Sequence, residues 1–92
     1  MIKTFRHKGL RLYYQTGSTR GIQAKHASRL RMQLAALDSA TEVLDLDLPG
    51  YKLHALKGDR HGIWAISVSG NWRLTFTFRD GHVYLLDYED YH

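Results

Sequence analysis

The chain has no cysteine. A disulfide framework and a thiolate-bound metal are therefore excluded, and a reducing compartment such as the cytoplasm is the expected setting. No apolar run approaches the ~20 residues that a membrane helix needs. The opening MIKTFRHKGLRLYY interleaves basic and apolar residues without one uninterrupted apolar stretch, so no signal peptide and no membrane contact are expected. Repeats, low-complexity segments and linkers are also missing, and 92 residues suit one domain spanning 1–92. Six histidines are present, but no HExxH and no HxH, so neither a metal nor a cofactor is expected. Charge of one sign is missing from each end. Residues 1–37 hold Lys3, Arg6, Lys8, Arg11, Arg20, Lys25, Arg29 and Arg31 and no acid. Residues 80–92 hold Asp80, Asp87, Glu89 and Asp90 and no lysine or arginine. A basic front half is the footprint of a polyanion binder, and a solvated basic helix surface accounts for it equally well.

What is present reads as helices first and strands afterwards. MIKTF predicts a short first strand. KGLRLYYQTG predicts a short helix ended by Gly17, which takes the left-handed conformation at little cost. A second helix is expected over about Gln23 to Ala40, because Ala27, Leu30, Leu34 and Leu37 recur at spacings of 3, 4 and 3. DLDLPG closes this half with an irregular turn at Pro49 and Gly50. YKLHAL, IWAISVS, NWRLTFTF and HVYLLD read as strands, with SGN and RDGH as hairpin signals. In the third of these, Trp72, Leu74, Phe76 and Phe78 face one way, and Arg73, Thr75 and Thr77 the other. Trp64 and Trp72 are expected in the core. The strands should form an antiparallel meander with the helices on one face. The other face stays partly open, with Arg73 at its centre.

The stretch YKLHALKGDRHGIWAISVSGNWRLTFTF and the final YEDYH closely resemble the HigB toxins, members of the RelE/ParE superfamily of bacterial toxin–antitoxin systems. MIKTFRHKGL and ALDSATE resemble the same family, so the likeness spans essentially the whole chain. It implies an α+β RelE-like domain, with two N-terminal helices packed on a curved, mainly antiparallel sheet of four to five strands. It implies a toxin that cleaves mRNA in the A site of the translating ribosome and so inhibits translation. It also implies a small helix-turn-helix antitoxin of the HigA kind, through which alone operator DNA is engaged. The partners expected are thus that antitoxin, ribosomal RNA and mRNA. A toxin monomer within a larger complex with an antitoxin dimer is the expected assembly. At one position the chain departs from its relatives: many carry arginine where this chain has Ser69, which offers a phosphate no charge.

RNA cleavage without a metal uses the RNA's own 2′-hydroxyl as nucleophile. It needs a proton acceptor, a stabiliser of phosphate charge, a proton donor for the 5′-oxygen, and in-line geometry. The resemblance makes His92, the last residue, the first acid–base candidate, and histidine titrates near neutrality. Asp90 orients an imidazole or takes a proton itself. Tyr91 stacks on a base or donates to the scissile phosphate. On a regular strand Asp90 and His92 face one side and Tyr91 the other. His54 is the second acid–base candidate. Arg73 is the leading charge stabiliser, ahead of Lys57 and then Arg60, which alternatively pairs with Asp59. Asn71 contacts a nucleotide or only shapes the hairpin turn. Two other readings stay open: a ParE-like gyrase-inhibiting toxin, and a catalytically weak member kept as an antitoxin-binding regulator.

Overall fold

A computed structural model describes residues 1–90 of the chain. The first helix, α1, covers Lys8–Thr16. The Nδ1 of His7 accepts the Leu10 N–H at its start, and Gly17 at φ 80° donates its N–H to the Tyr13 carbonyl at its end. One orphan group at each terminus is thereby satisfied. The inner face of α1 buries Leu10 and Tyr13. The second helix, α2, covers Ala27–Ser39, and a 3₁₀ turn, Ala24–His26, precedes it. The expected single helix from Gln23 is therefore divided. The physical reason lies in Tyr88, whose hydroxyl accepts the Gln23 N–H, is hydrogen-bonded to the His26 ring and tightens this turn. Leu30, Leu34 and Leu37 are buried as their spacing predicts, and Ala27 is partly buried. Gln33 joins them in the core, donating to the Ser67 carbonyl at 2.7 Å.

Four strands follow: β1 (His54–Ala55), β2 (Trp64–Ser69), β3 (Trp72–Arg79) and β4 (His82–Asp90). They form an antiparallel meander in the order β1-β2-β3-β4. The β3–β4 hairpin turns on Asp80 and Gly81, both at positive φ, which matches the right-handed twist of the strands. MIKTF does not make a full strand. It runs parallel to β4 and meets it only at Ile2↔Val83 and Phe5↔Leu86, because β4 bulges between them, with Leu85 at φ 55°. YKLHAL shrinks to two strand residues, since Lys52 is left-handed and Leu56 is already bonded to Ile63 across a loop.

The helices cover one face of the sheet. Leu10, Leu30, Leu37, Ile66, Leu74 and Phe76 are essentially inaccessible there. Each contributes about 1.5–3 kcal/mol through burial. Trp64 and Trp72 pack on the rim of this core rather than inside it. Among the described residues no helix is long and apolar enough to cross a membrane.

Candidate active site

The strand register places the site residues. His54 lies opposite Ala65, Ala65 opposite Thr75, and Thr75 opposite Asp87. One row further along, Ser67 lies opposite Arg73, and Arg73 opposite Glu89. Directly paired residues share a face, so these side chains all project from the face turned away from the helices. With strands about 4.8 Å apart, His54 stands about 10 Å from Thr75 across a floor of small side chains. The 3₁₀ turn Gly58–Arg60 folds toward this face. Arg60 grips Glu89 across it, and Ala65, Ser67 and Thr75 are buried at 1%, 9% and 2% exposure. The face expected to be partly open is thus partly roofed.

His54 is exposed on the edge strand, and its Nδ1 donates to the Lys52 carbonyl at 2.9 Å. In the neutral ring that bond assigns the proton to Nδ1 and leaves the Nε2 lone pair available to take one. Arg73 is half-buried. Its Nη1 donates to the Gly70 carbonyl at 2.7 Å, to the Trp72 carbonyl at 3.1 Å and to the Ser67 hydroxyl at 3.4 Å. Among the described residues Nε and Nη2 carry no such bond, so a guanidinium fixed at one nitrogen keeps donors for an incoming anion.

Arg60 does not pair with Asp59. Its Nη1 and Nη2 donate to the two carboxylate oxygens of Glu89 at 3.0 and 2.6 Å, and the Thr75 hydroxyl also donates to Glu89. The bonds from Arg60 hold the Glu89 carboxyl below the ordinary glutamate range. Burial opposes this, while Thr75 and the charges of Arg60 and Arg6 add to it. Lys57 is exposed just before the Gly58–Arg60 turn. Asn71 is exposed in the two-residue turn between β2 and β3, where the turn itself accounts for it.

Asp90 pairs with Trp72, and so shares the helix-covered face with Trp72 and Tyr88, not the face of His54 and Arg73. The structure therefore brings His54, Arg73 and Arg60 to one face and leaves Asp90 at the end of the other. His92 and Tyr91 lie outside the described residues. Behind the site, the Tyr88 hydroxyl meets Nδ1 of buried His26 at 2.5 Å and accepts the Gln23 N–H at 3.4 Å. With the Tyr88 oxygen accepting from Gln23, its own proton is available to His26 Nδ1. Burial, and then the charge of Lys25, push the His26 pKa down. Burial pushes that of Tyr88 up, against the Gln23 N–H. Trp72 packs on Tyr88 with ring centroids 4.5 Å apart. This cluster anchors β4 immediately before Glu89.

Glu89 is the site residue that sequence reasoning missed. Among the described residues no group of three His, Asp or Glu side chains is arranged to hold a metal ion. What the face offers is a proton acceptor at one edge, guanidinium groups at the centre, and an ionised carboxylate among them.

Comparison with known proteins identifies the family and the fold. A family model described as "RelE-like toxin of type II toxin-antitoxin system HigB" matches residues 3–92. A Proteus vulgaris protein named Endoribonuclease HigB is 52% identical over 92 residues, covering all of both chains. The toxin-like fold is also found in the YoeB–YefM complex from Staphylococcus aureus, where one chain matches with a TM-score of 0.63 at 18% identity, over 100% of this chain and 98% of the other. The chain belongs to the HigB-like family of RelE-like toxins from type II toxin–antitoxin systems.

Proposed function

We propose that this toxin is an endoribonuclease that cuts mRNA in the A site of the translating ribosome, with the sheet face turned away from the helices as its active surface. The observation that carries the reading is the shared face of His54 and Arg73, two strands apart, in a chain of this family. The name of the Proteus vulgaris relative supports the same activity.

The chemistry is attack of a 2′-hydroxyl on the adjacent phosphorus. The Nε2 of His54 takes the 2′ proton. Arg73, through Nε and Nη2, stabilises the charge that grows on the phosphate oxygens. His92 returns a proton to the departing 5′-oxygen, with Tyr91 in support. Lys57 contributes a point charge at the margin, and Asn71 borders the nucleotide at the hairpin. The nucleophile belongs to the substrate, so the scheme needs no cofactor. The protein side orients and neutralises but does not bend the RNA. The ribosome supplies the bent A-site strand, and free RNA is cut poorly. A HigA-like helix-turn-helix antitoxin neutralises the toxin and carries it to operator DNA.

Primer extension on an mRNA in a reconstituted translation reaction tests this. Wild-type protein should give cuts at A-site codons that vanish without ribosomes. Arg73→Ala should lower the cleavage rate about 10²-fold, the usual cost of losing one preorganised donor to a developing charge. His54→Ala and deletion of His92 should each lower it by about 10²–10⁴. Wild-type protein that leaves mRNA intact but inhibits gyrase would sink the nuclease reading.

A further inference from the structure

We propose that Glu89 is an internal counter-anion: in the RNA-free toxin it fills the fork of Arg60, and a backbone phosphate of single-stranded RNA displaces it. The inference rests on the reading of this face as the RNA-cleaving one.

A carboxylate and a phosphodiester present the same edge of two oxygens to a guanidinium, and Arg60 engages Glu89 through both terminal nitrogens, as it would a phosphate. The pair is accessible, with side chains 33% and 24% exposed, so an incoming anion can reach it. At such exposure solvent screens the pair in part, so a competing phosphate can exchange with the carboxylate. Thr75 donates to Glu89 independently of Arg60, so the carboxylate keeps a partner after the exchange. The surroundings favour an added anion. Arg73 stands opposite Glu89 in register, and the charge of Arg6 reaches Glu89 from the N-terminal segment. Among the described residues Asp87, His54, Arg79, His82 and Tyr84 also stand on this face.

Glu89 is poorly suited to the other role a carboxylate might take there. A general base must hold a proton near the working pH, and Glu89 is held ionised below the ordinary range. Its effect is to charge a toll on RNA affinity. A phosphate that takes Arg60 does so against a carboxylate left close by. Free RNA is then bound weakly, and tight engagement waits for a strand already positioned on the ribosome.

The test uses the full chain and a single-stranded RNA methylated at its 2′-oxygens, which cannot be cleaved. Binding is measured against salt for wild type, Glu89→Gln, Arg60→Gln and the double variant. The glutamine amide keeps the size and an acceptor oxygen, and circular dichroism checks that each variant is folded. Glu89→Gln should bind about fivefold tighter at low salt, the factor expected for one like charge removed at contact distance in water. Its salt slope should steepen by about 0.7, because the released counterion is no longer offset by freeing Glu89. Both gains should vanish when Arg60 is also glutamine. Folded Glu89→Gln that binds no tighter than wild type overturns the proposal. A gain that persists without Arg60 also overturns it, since that would be a general charge effect. Failure of both wild type and Glu89→Gln to bind overturns it as well. The endonuclease reading falls only if wild type, in parallel, fails to cut mRNA on ribosomes.

Discussion

Glu89 takes up its proton at lower pH in the folded protein than in the unfolded chain, where the ordinary value is 4.5. Its bonds from Arg60 and Thr75 therefore stabilise the fold in full above that value. The contribution is lost as pH falls through the native pKa, because the unfolded chain binds the proton first. Urea unfolding at roughly pH 6 and pH 3.5 should show stability falling toward acid, and Glu89→Gln should flatten part of that fall. Asp45, also held low by the backbone N–H groups of Thr41 and Glu42, keeps the remainder. An equal acid limb in wild type and Glu89→Gln would mean that Arg60 does not hold the carboxylate in solution. At Arg73 the prediction concerns shape. One terminal nitrogen is tied to the β2–β3 turn, and among the described residues the others carry no such bond. Lysine has one nitrogen for both tasks, so Arg73→Lys should recover less than about a tenth of wild-type cleavage in primer extension. The face that Arg73 occupies follows from an alternating strand, and so its place was legible from NWRLTFTF.

Elements decide what such reading leaves out. Counting back from the Asp80–Gly81 turn without interruption would set Arg73 opposite Tyr88 and put Glu89 on the helix side. The bulge at Leu85 adds one residue to β4, and the observed partners become Arg73↔Glu89 and Leu74↔Tyr88. A one-residue slip exchanges the two faces, so it moves Glu89 onto the face of His54 and Arg73 and Asp90 off it. Nothing in HVYLLD marks that extra residue; the N-terminal segment does, since the Thr4 hydroxyl takes the Leu85 N–H at 2.8 Å. Such a contact across the chain is invisible to local pattern. The same holds for Tyr88, whose hydroxyl orders both Gln23 and His26. Tyr88→Phe should cost about 1–3 kcal/mol in urea unfolding, the desolvation penalty of a buried acceptor left unpaired. No loss would mean that the ring contacts alone hold this corner. A third long-range contact sits at Gly9, where an added Cβ would lie 2.4 Å from the Gly21 carbonyl oxygen. Backbone cannot yield as a side-chain tip can. Gly9→Ala should lower stability by about 1–3 kcal/mol by pushing the Gly21 segment off α1.

On the scale of the whole molecule, the proposed function assigns two RNA-facing tasks to separate sets of residues. The meander gives a rigid face for His54 and Arg73, while the basic front half lies largely on α1, α2 and the segment between them. Not all of that charge is surface charge. Arg29 donates to the carbonyls of Val68 and Gly50 and lies over the Tyr51 ring, so it braces the fold. Lys8, Arg11, Arg20, Lys25 and Arg31 are exposed. The sequence alone could not separate a solvated helix surface from a polyanion-binding one. The fold separates bracing charge from exposed charge, and the proposed function gives the exposed set a task on ribosomal RNA. Replacing Lys8, Arg11 and Arg31 with glutamate should reduce toxin pelleting with ribosomes and slow ribosome-dependent cleavage, each by at least about tenfold at low salt. Melting temperature should change little, because exposed charges contribute little to stability. Wild-type pelleting should itself weaken steeply as salt rises. Arg73→Ala should pellet like wild type while failing to cut. Unchanged cleavage by the triple variant would move ribosome recognition off these helices, and the sheet face would then have to bind the ribosome as well as cut its message.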